Sequence, residues 1–282
     1  MEKRGSLFVL AGAVLWGTTG TAQALAPAAA QPLAIGTLRL VIGGLALLAV
    51  WRLTPRTREP QPAARLAIRP VLIAAACMAA YQILFFAGVK LTGVAVGTIV
   101  GIGSSPVLAG LLGLVFRGER LGRRWIAATL LAIAGCGLLA LSGGQIHVDP
   151  LGMLLAIGAG AAYATFSLLS KGLLENHPAE MVMAVIFSLG ALMLTPLLLT
   201  QDLAWLAQPN GLGAVLWLGL MATGLAYVLF GKGLQLTPVA TAVTLSLGEP
   251  LTAATLGVLV LGEHVTLQAG LGIALILSGL VL

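Results

Sequence analysis

The sequence predicts an all-α integral membrane protein with ten transmembrane helices arranged as two inverted five-helix repeats. Three observations carry that prediction. One stretch occurs twice: Gly88 to Leu121 reads GVKLTGVAVGTIVGIGSSPVLAGLLGLVFRGERL, and Gly233 to Val265 reads GLQLTPVATAVTLSLGEPLTAATLGVLVLGEHV. With one residue dropped from the second copy, Leu91-Thr92 falls on Leu236-Thr237, Pro106 on Pro250, and Gly118-Glu119 on Gly262-Glu263. Composition is the second observation: 59% of the residues are hydrophobic and 9% charged, where a soluble domain carries roughly 25% charged residues. Third, the chain divides into apolar runs of the length that crosses hydrocarbon, about 20 residues each.

In the first half the runs fall at about 6–25, 32–51, 70–90, 92–116 and 123–142; in the second, at about 150–171, 179–199, 209–231, 237–261 and 265–282. The opening MEKRGSLFVLAGAVLW has the form of a signal peptide, with Ala22-Gln23-Ala24 in place of a cleavage site. Its apolar run, however, contains Trp16-Gly17-Thr18-Thr19-Gly20 and has a counterpart in the second half, so it is read as a retained first helix. Pro27 and Pro32 precede span 2, and the Pro/Arg-rich stretch Arg52–Pro70 separates spans 2 and 3. Gly143-Gly144 and Asp149-Pro150 mark the joint between repeats; Asn176-His177-Pro178 and Pro209-Asn210-Gly211 mark later turns. The repeats are expected to cover 1–145 and 146–282 as one folding unit, because neither half can cover its polar midplane positions alone.

Charge sets the orientation. With the N-terminus in the cytoplasm, Lys3, Arg4, Arg52, Arg56, Arg58, Arg65, Arg69, Arg117, Arg120, Arg123, Arg124, Lys171 and Lys232 all fall on the cytoplasmic side. Only Lys90 falls outside, and Arg39 lies within a span. Ten spans then put both termini in the cytoplasm. Five spans per repeat is an odd number, so the two copies insert with opposite orientations about an axis in the membrane plane. A bacterial inner membrane is the expected location, and the bilayer the expected partner.

Several function classes lack their residues. The net charge of +6 comes from short loops rather than a basic face with interleaved aromatics, so no nucleic acid partner is expected. Cys77 and Cys136 lie in apolar runs without metal-ligand spacing, and His147, His177 and His264 are scattered through loops, so no metal site is expected. Gly101-Ile102-Gly103 and Gly158-Ala159-Gly160 lack a preceding strand, and no Gly-x-x-x-x-Gly-Lys-Ser/Thr loop occurs. No cofactor is expected. No cluster of His, Asp or Ser suggests catalysis, so the chain is not expected to be an enzyme.

Paired, interrupted hydrophobic segments at matching places in two halves point instead to the central site of a secondary transporter. Glu249 is the sharpest candidate. It lies near the middle of span 9, where an acidic residue costs about 2.5–3.5 kcal/mol, directly before Pro250. It is expected to contact a solute ammonium or to exchange a proton; hydrogen bonding that merely stabilises a kink is the structural alternative. Arg39, about seven residues and roughly 10 Å into span 2, is a coupling or gating candidate that meets a carboxylate of the solute or of Glu263, or else snorkels or pairs helices.

Aromatic and hydroxyl groups complete the candidate solute contacts: Trp16 and Thr19 in span 1, Tyr81, Gln82 and Phe85 in span 3, Ser105 in span 4, Tyr163 in span 6 and Tyr227 in span 8. Cys77, Tyr81 and Phe85 share one helix face, as do Gly12, Trp16, Thr19 and Gln23. Trp51, Trp125 and Trp205 lie near span ends and read as interfacial belt residues. Ser104, Ser105, Thr244 and Ser246 flank the midspan prolines and are placed to satisfy backbone groups freed by kinks. Glu119 and Glu263 are expected to order the turns into spans 5 and 10, or to gate them, and not to bind solute.

These residues together resemble the EamA-type family of ten-span exporters in the drug/metabolite transporter superfamily. The resemblance covers nearly the whole chain: Trp16-Gly17, Pro32 and Arg39, Leu91-Thr92 with Pro106 and Gly118-Glu119, Leu225-Ala226-Tyr227 with Gly231, and Leu236-Thr237-Pro238 with Glu249-Pro250 and Gly262-Glu263. Tyr81-Gln82-Ile83-Leu84-Phe85-Phe86 is most similar to the family's amino-acid exporters, aromatic ones included. The resemblance implies two five-helix bundles around a central cavity lined mainly by spans 3, 4, 8 and 9 with 1 and 6, and alternating access. It implies export of aromatic or neutral amino acids or related small metabolites; the alternative is export of drugs or other amphipathic organic cations. Gly93 stands where the second repeat has Pro238, and Ser104-Ser105-Pro106 where it has Gly248-Glu249-Pro250, so the halves are not chemically equivalent.

Overall fold

Proline and glycine set where most of the helices begin and end. The computed structural model describes residues 2–54, 66–141, 149–262 and 266–282; Arg56, Arg58, Arg65, His147, Glu263 and His264 lie outside the described residues. Among the described residues, nine helices are long and apolar enough to cross a membrane: Lys3–Ala24, Pro32–Leu53, Ile68–Gly93, Val96–Arg117, Arg123–Leu141, Pro150–Leu174, Ala179–Thr200, Pro209–Leu236 and Val239–Leu261. These are spans 1 to 9. The tenth, Leu267–Val281, has 15 helical residues, shorter than the apolar run that announces it. Pro32, Pro150 and Pro209 open their helices, where the missing N–H costs no bond. Asp149 reinforces the start of span 6 by accepting from the Gly152 N–H at 2.7 Å.

The duplicated segment gives matched ends. Gly118 (φ 64°) closes span 4 and Gly262 (φ 71°) closes span 9, each in the left-handed region where glycine pays no side-chain strain. At their beginnings the two spans differ. Spans 3 and 4 form one helical run broken only at Gly93, with φ 81° and ψ 160°. Spans 8 and 9 are separated by extended Thr237 and Pro238.

The midspan prolines also differ, which corrects the expectation of two kinked rods. Pro106 lies inside an unbroken helix, where the hydroxyls of Ser104 and Ser105 donate to the Gly101 carbonyl at 3.2 and 2.9 Å. Span 9 is interrupted: helix Val239–Leu245 stops, and helix Gly248–Leu261 starts anew. Three-residue turns replace the four-residue ladder there, Leu247 N–H to Thr244 and Glu249 N–H to Ser246, both at 3.0 Å. Pro250 cannot donate and clashes with the turn before it.

Span 8 contains one π-helical turn, Leu220–Leu225, whose Thr223 packs over Gly43 of span 2. After span 7 the chain forms a short 3-10 turn, Ala204–Ala207, that buries Trp205 to 2% exposure. Its indole N–H donates to the Asp202 carbonyl at 3.0 Å. Trp205 is therefore a core residue packed with Ile35 and Val215 rather than a belt residue, because this connection folds back onto the bundle.

Span 1 packs against spans 8 and 9, while span 6 packs against spans 3 and 4; span 2 meets span 7 and span 5 meets span 10. Exchanging the two repeats maps this pattern onto itself, as inverted repeats require. Spans 5 and 10 come backbone to backbone at Gly135 and Gly272, a small-residue contact that suits packing in lipid. Leucine and isoleucine side chains such as Leu72, Leu130, Leu154, Leu192 and Leu259 remain exposed on the outside, the surface a bilayer covers.

Candidate solute cavity

The packing of six spans around the interrupted span 9 leaves a central cavity of about 420 Å³, within the range of small-molecule sites. Trp16 and Thr19 reach it from span 1, Arg39 from span 2, and Tyr81, Gln82 and Phe85 from span 3. Ser105 comes from span 4, Tyr163 from span 6, Tyr227 from span 8 and Glu249 from span 9. All ten residues singled out from the sequence thus face one space.

Its aromatic wall is continuous. Trp16 lies 4.9 Å from Tyr227 and 6.3 Å, edge-on, from Tyr163 between ring centroids. Tyr81 stacks on Phe85 at 5.8 Å and leans on Tyr163 at 5.9 Å. Below this wall, towards the end carrying the N-terminus, Phe166, Phe187 and Phe230 close the floor. At the other end Gly20 and Pro32 are exposed, so the cavity opens away from the N-terminus.

The polar groups divide by what they are bonded to. Gln82 donates to the Gly36 carbonyl at 3.4 Å, tying span 3 to span 2. The Tyr163 and Ser246 hydroxyls are 3.3 Å apart. Ser105 spends its proton inside its own helix. Thr244 pairs with Thr129 of span 5 at 3.0 Å and serves packing. Trp16 Nε1 and Arg39 Nε are buried with no hydrogen-bond partner among the described residues.

Two charged side chains line the space. Arg39 is 8% exposed and turned inward, so it does not snorkel. Glu249 sits in the first turn of the half-helix Gly248–Leu261, the end whose dipole favours a carboxylate. Among the described residues no ion pair joins the two.

Other wall residues escaped the sequence reading: Phe86, Val89, Thr98, Ile102, Val243, Leu247 and Ala253. Apolar side chains carry no chemical signal, but the repeat alignment holds one. Thr98 falls on Val243, Ile102 on Leu247 and Ser105 on Glu249, and both members of each pair reach the cavity.

Glu119 reaches further than its own turn. It does not merely order the turn into span 5: its carboxylate crosses to span 9 and accepts from the Val239 and Ala240 N–H groups at 2.8 and 3.2 Å. A carboxylate placed after a left-handed glycine folds back over Gly113, and the open helix start beside it supplies the donors.

The whole chain is similar to known membrane transporters. It is 50% identical over 98% of its length, and 92% of the relative's, to the uncharacterized transporter YwfM of Bacillus subtilis. It is 28% identical to the threonine/homoserine exporter RhtA of Escherichia coli, covering 92% of this chain and 84% of that one. A probable terminal-alkyne amino-acid exporter of Streptantibioticus cattleyicolor is 27% identical over 75% of this chain and 71% of its own. A protein of known crystal structure superposes with a TM-score of 0.86 at 22% identity, covering 99% of this chain and 96% of that one, which places the fold. Residues 3–141 and 150–282 each match the family model, one copy per repeat, so this multi-pass membrane protein belongs to the EamA-like transporter family.

Proposed function

We propose that the chain exports amino acids, aromatic or neutral, or closely related small metabolites from the cytoplasm as a secondary transporter. The observation that carries this reading is the pairing of Arg39 and Glu249 in one aromatic-walled cavity without an ion pair between them. Charges in a membrane interior persist when matched. A zwitterion matches both: its carboxylate meets the guanidinium, and its ammonium meets the carboxyl. An organic cation matches only Glu249 and leaves Arg39 uncompensated. Two relatives whose names specify amino-acid export support the same class.

The aromatic rings favour a second reading, export of amphipathic organic cations, because Trp16, Tyr81 and Phe85 line the same cavity as Glu249 and aromatic rings attract cations. Either way the chain acts as a carrier rather than an enzyme, with Glu249 exchanging solute ammonium for a proton and both repeats working as one unit. By the positive-inside rule the end carrying the N-terminus, Arg117, Lys171 and Lys232 faces the cytoplasm of a bacterial inner membrane, and the cavity mouth faces out.

Proteoliposomes with labelled amino acids and labelled cations, with and without a proton gradient, test the reading. Amino-acid flux that a proton gradient accelerates is the expected result. Flux of cations alone transfers the case to the second reading, and flux of neither removes both.

A further inference from the structure

The turn joining spans 8 and 9 is held from both sides. On its carbonyl side, Lys171 of span 6 donates to Leu234, Gln235 and Thr237 at 2.7, 3.1 and 2.9 Å. On its N–H side, Glu119 of the other repeat receives Val239 and Ala240. A cation thus closes a helix C-terminus and an anion a helix N-terminus, each the sign the backbone dipoles favour. Nearby, Arg117 pairs with Glu175, and span 1 packs so closely on the turn that a side chain at Gly5 would strike Leu236 and Thr237.

All of this lies at the end of the bundle where the cavity is closed. The turn between spans 3 and 4 at the mouth end is packed as closely, since a side chain at Gly152 would strike Leu91 and Thr92, but it turns at left-handed Gly93 rather than extended Pro238. Gly93 itself has open space around it.

The geometry points to Glu119 as the gate residue of the cytoplasmic side: its carboxylate bridges the repeats at the 236–238 turn, and releasing that turn opens the cavity towards the N-terminal end. Lys171 keeps the turn's carbonyl side ordered, so that the two N–H groups present themselves to Glu119 as a unit. Opening separates Glu119 from span 9 and exposes the face of span 6 beneath Tyr163, where Ser167 and Ser170 follow at one and two turns. This inference rests on the two-sided carrier reading, but its test does not need flux.

Two cysteine reporters read the gate in a background carrying Cys77→Ala and Cys136→Ala. Ser170→Cys is nearly isosteric at a buried position whose hydroxyl has no partner among the described residues. Gly20→Cys sits at the mouth, with open space around it. Each is labelled with a membrane-impermeant maleimide from its own side of the bilayer. Glu119→Ala should raise labelling at 170 by about tenfold, as expected for the loss of a charge-assisted hydrogen bond, and lower labelling at 20. Glu119→Gln, which keeps one acceptor, should fall between; it carries the test if Glu119→Ala fails to accumulate. Arg117→Gln, which breaks a partly solvated pair, should change labelling at 170 by less than about threefold. Both reporters rising together would mean general loosening and overturns the inference, as does labelling at 170 that stays at the wild-type rate in both Glu119 variants. Absence of solute flux with these labelling shifts intact strikes the transport reading alone.

Discussion

Spans 4 and 9 descend from one repeated segment, yet the structure builds them differently. Span 4 passes through Pro106 without a break, its two serines bonding the carbonyl one turn back. Span 9 stops at Leu245 and restarts at Gly248, and the restart is what makes Glu249 tolerable. A carboxylate in mid-helix meets no favourable end of the backbone dipoles, whereas one in the first turn of a new helix lies at their positive end. Ser105 occupies the corresponding place in span 4 and brings no charge. The difference teaches that an inverted repeat supplies a cavity with two similar walls, and that one local break decides which wall carries the ion.

The strongest way to break this comparison is Glu249→Gln. Export should fall about ten- to hundredfold, the loss expected from removing a charge-assisted contact, and its dependence on pH should flatten. Initial rates of counterflow and of proton-driven flux in proteoliposomes measure both, and unchanged rates across pH would remove Glu249 from solute and proton alike. Arg39→Gln comes next: KM for an amino acid should rise about tenfold, one charge-assisted hydrogen bond's worth, while the decarboxylated amine is affected less. An equal loss for both solutes would mean that Arg39 shapes the helix contact and not the solute.

Proline replacement sharpens the contrast between the two walls. Pro250→Ala restores a donor at the break and should slow export about fivefold, a barrier change of about 1 kcal/mol, with Pro106→Ala nearly silent. Equal effects in the two variants would erase the distinction. The smallest expected change in flux is at Ser105→Ala, less than about threefold, because the hydroxyl already serves its own helix and a net internal bond is worth about 1 kcal/mol or less.

Much of this was legible before any coordinates. The ten candidate residues converge because each was chosen from the deep part of a span on a helical period, and helices crossing the same slab bring equal depths together. Glu249 stood out through the cost of a charge in lipid. Trp205 misled because nearness to a span end is a statement about sequence distance, and a short connection can fold inward as readily as it can lie at the interface. The partners of Glu119 stayed hidden for a related reason: its neighbours in the chain are the turn into span 5, while its hydrogen-bond donors lie 120 and 121 residues away.

The sequence by itself determined the membrane class, the ten spans, the duplication and, through the odd number of spans, the inversion, because hydrophobic length and charge bias act locally along the chain. Tertiary structure alone decided that one proline breaks its helix and the other does not, which end of the cavity is shut, and that Arg39 and Glu249 face the same space without pairing. Those outcomes depend on which spans pack around each site. Backbone groups freed by a proline are satisfied by whatever neighbour the bundle brings, and that neighbour comes from distant parts of the chain.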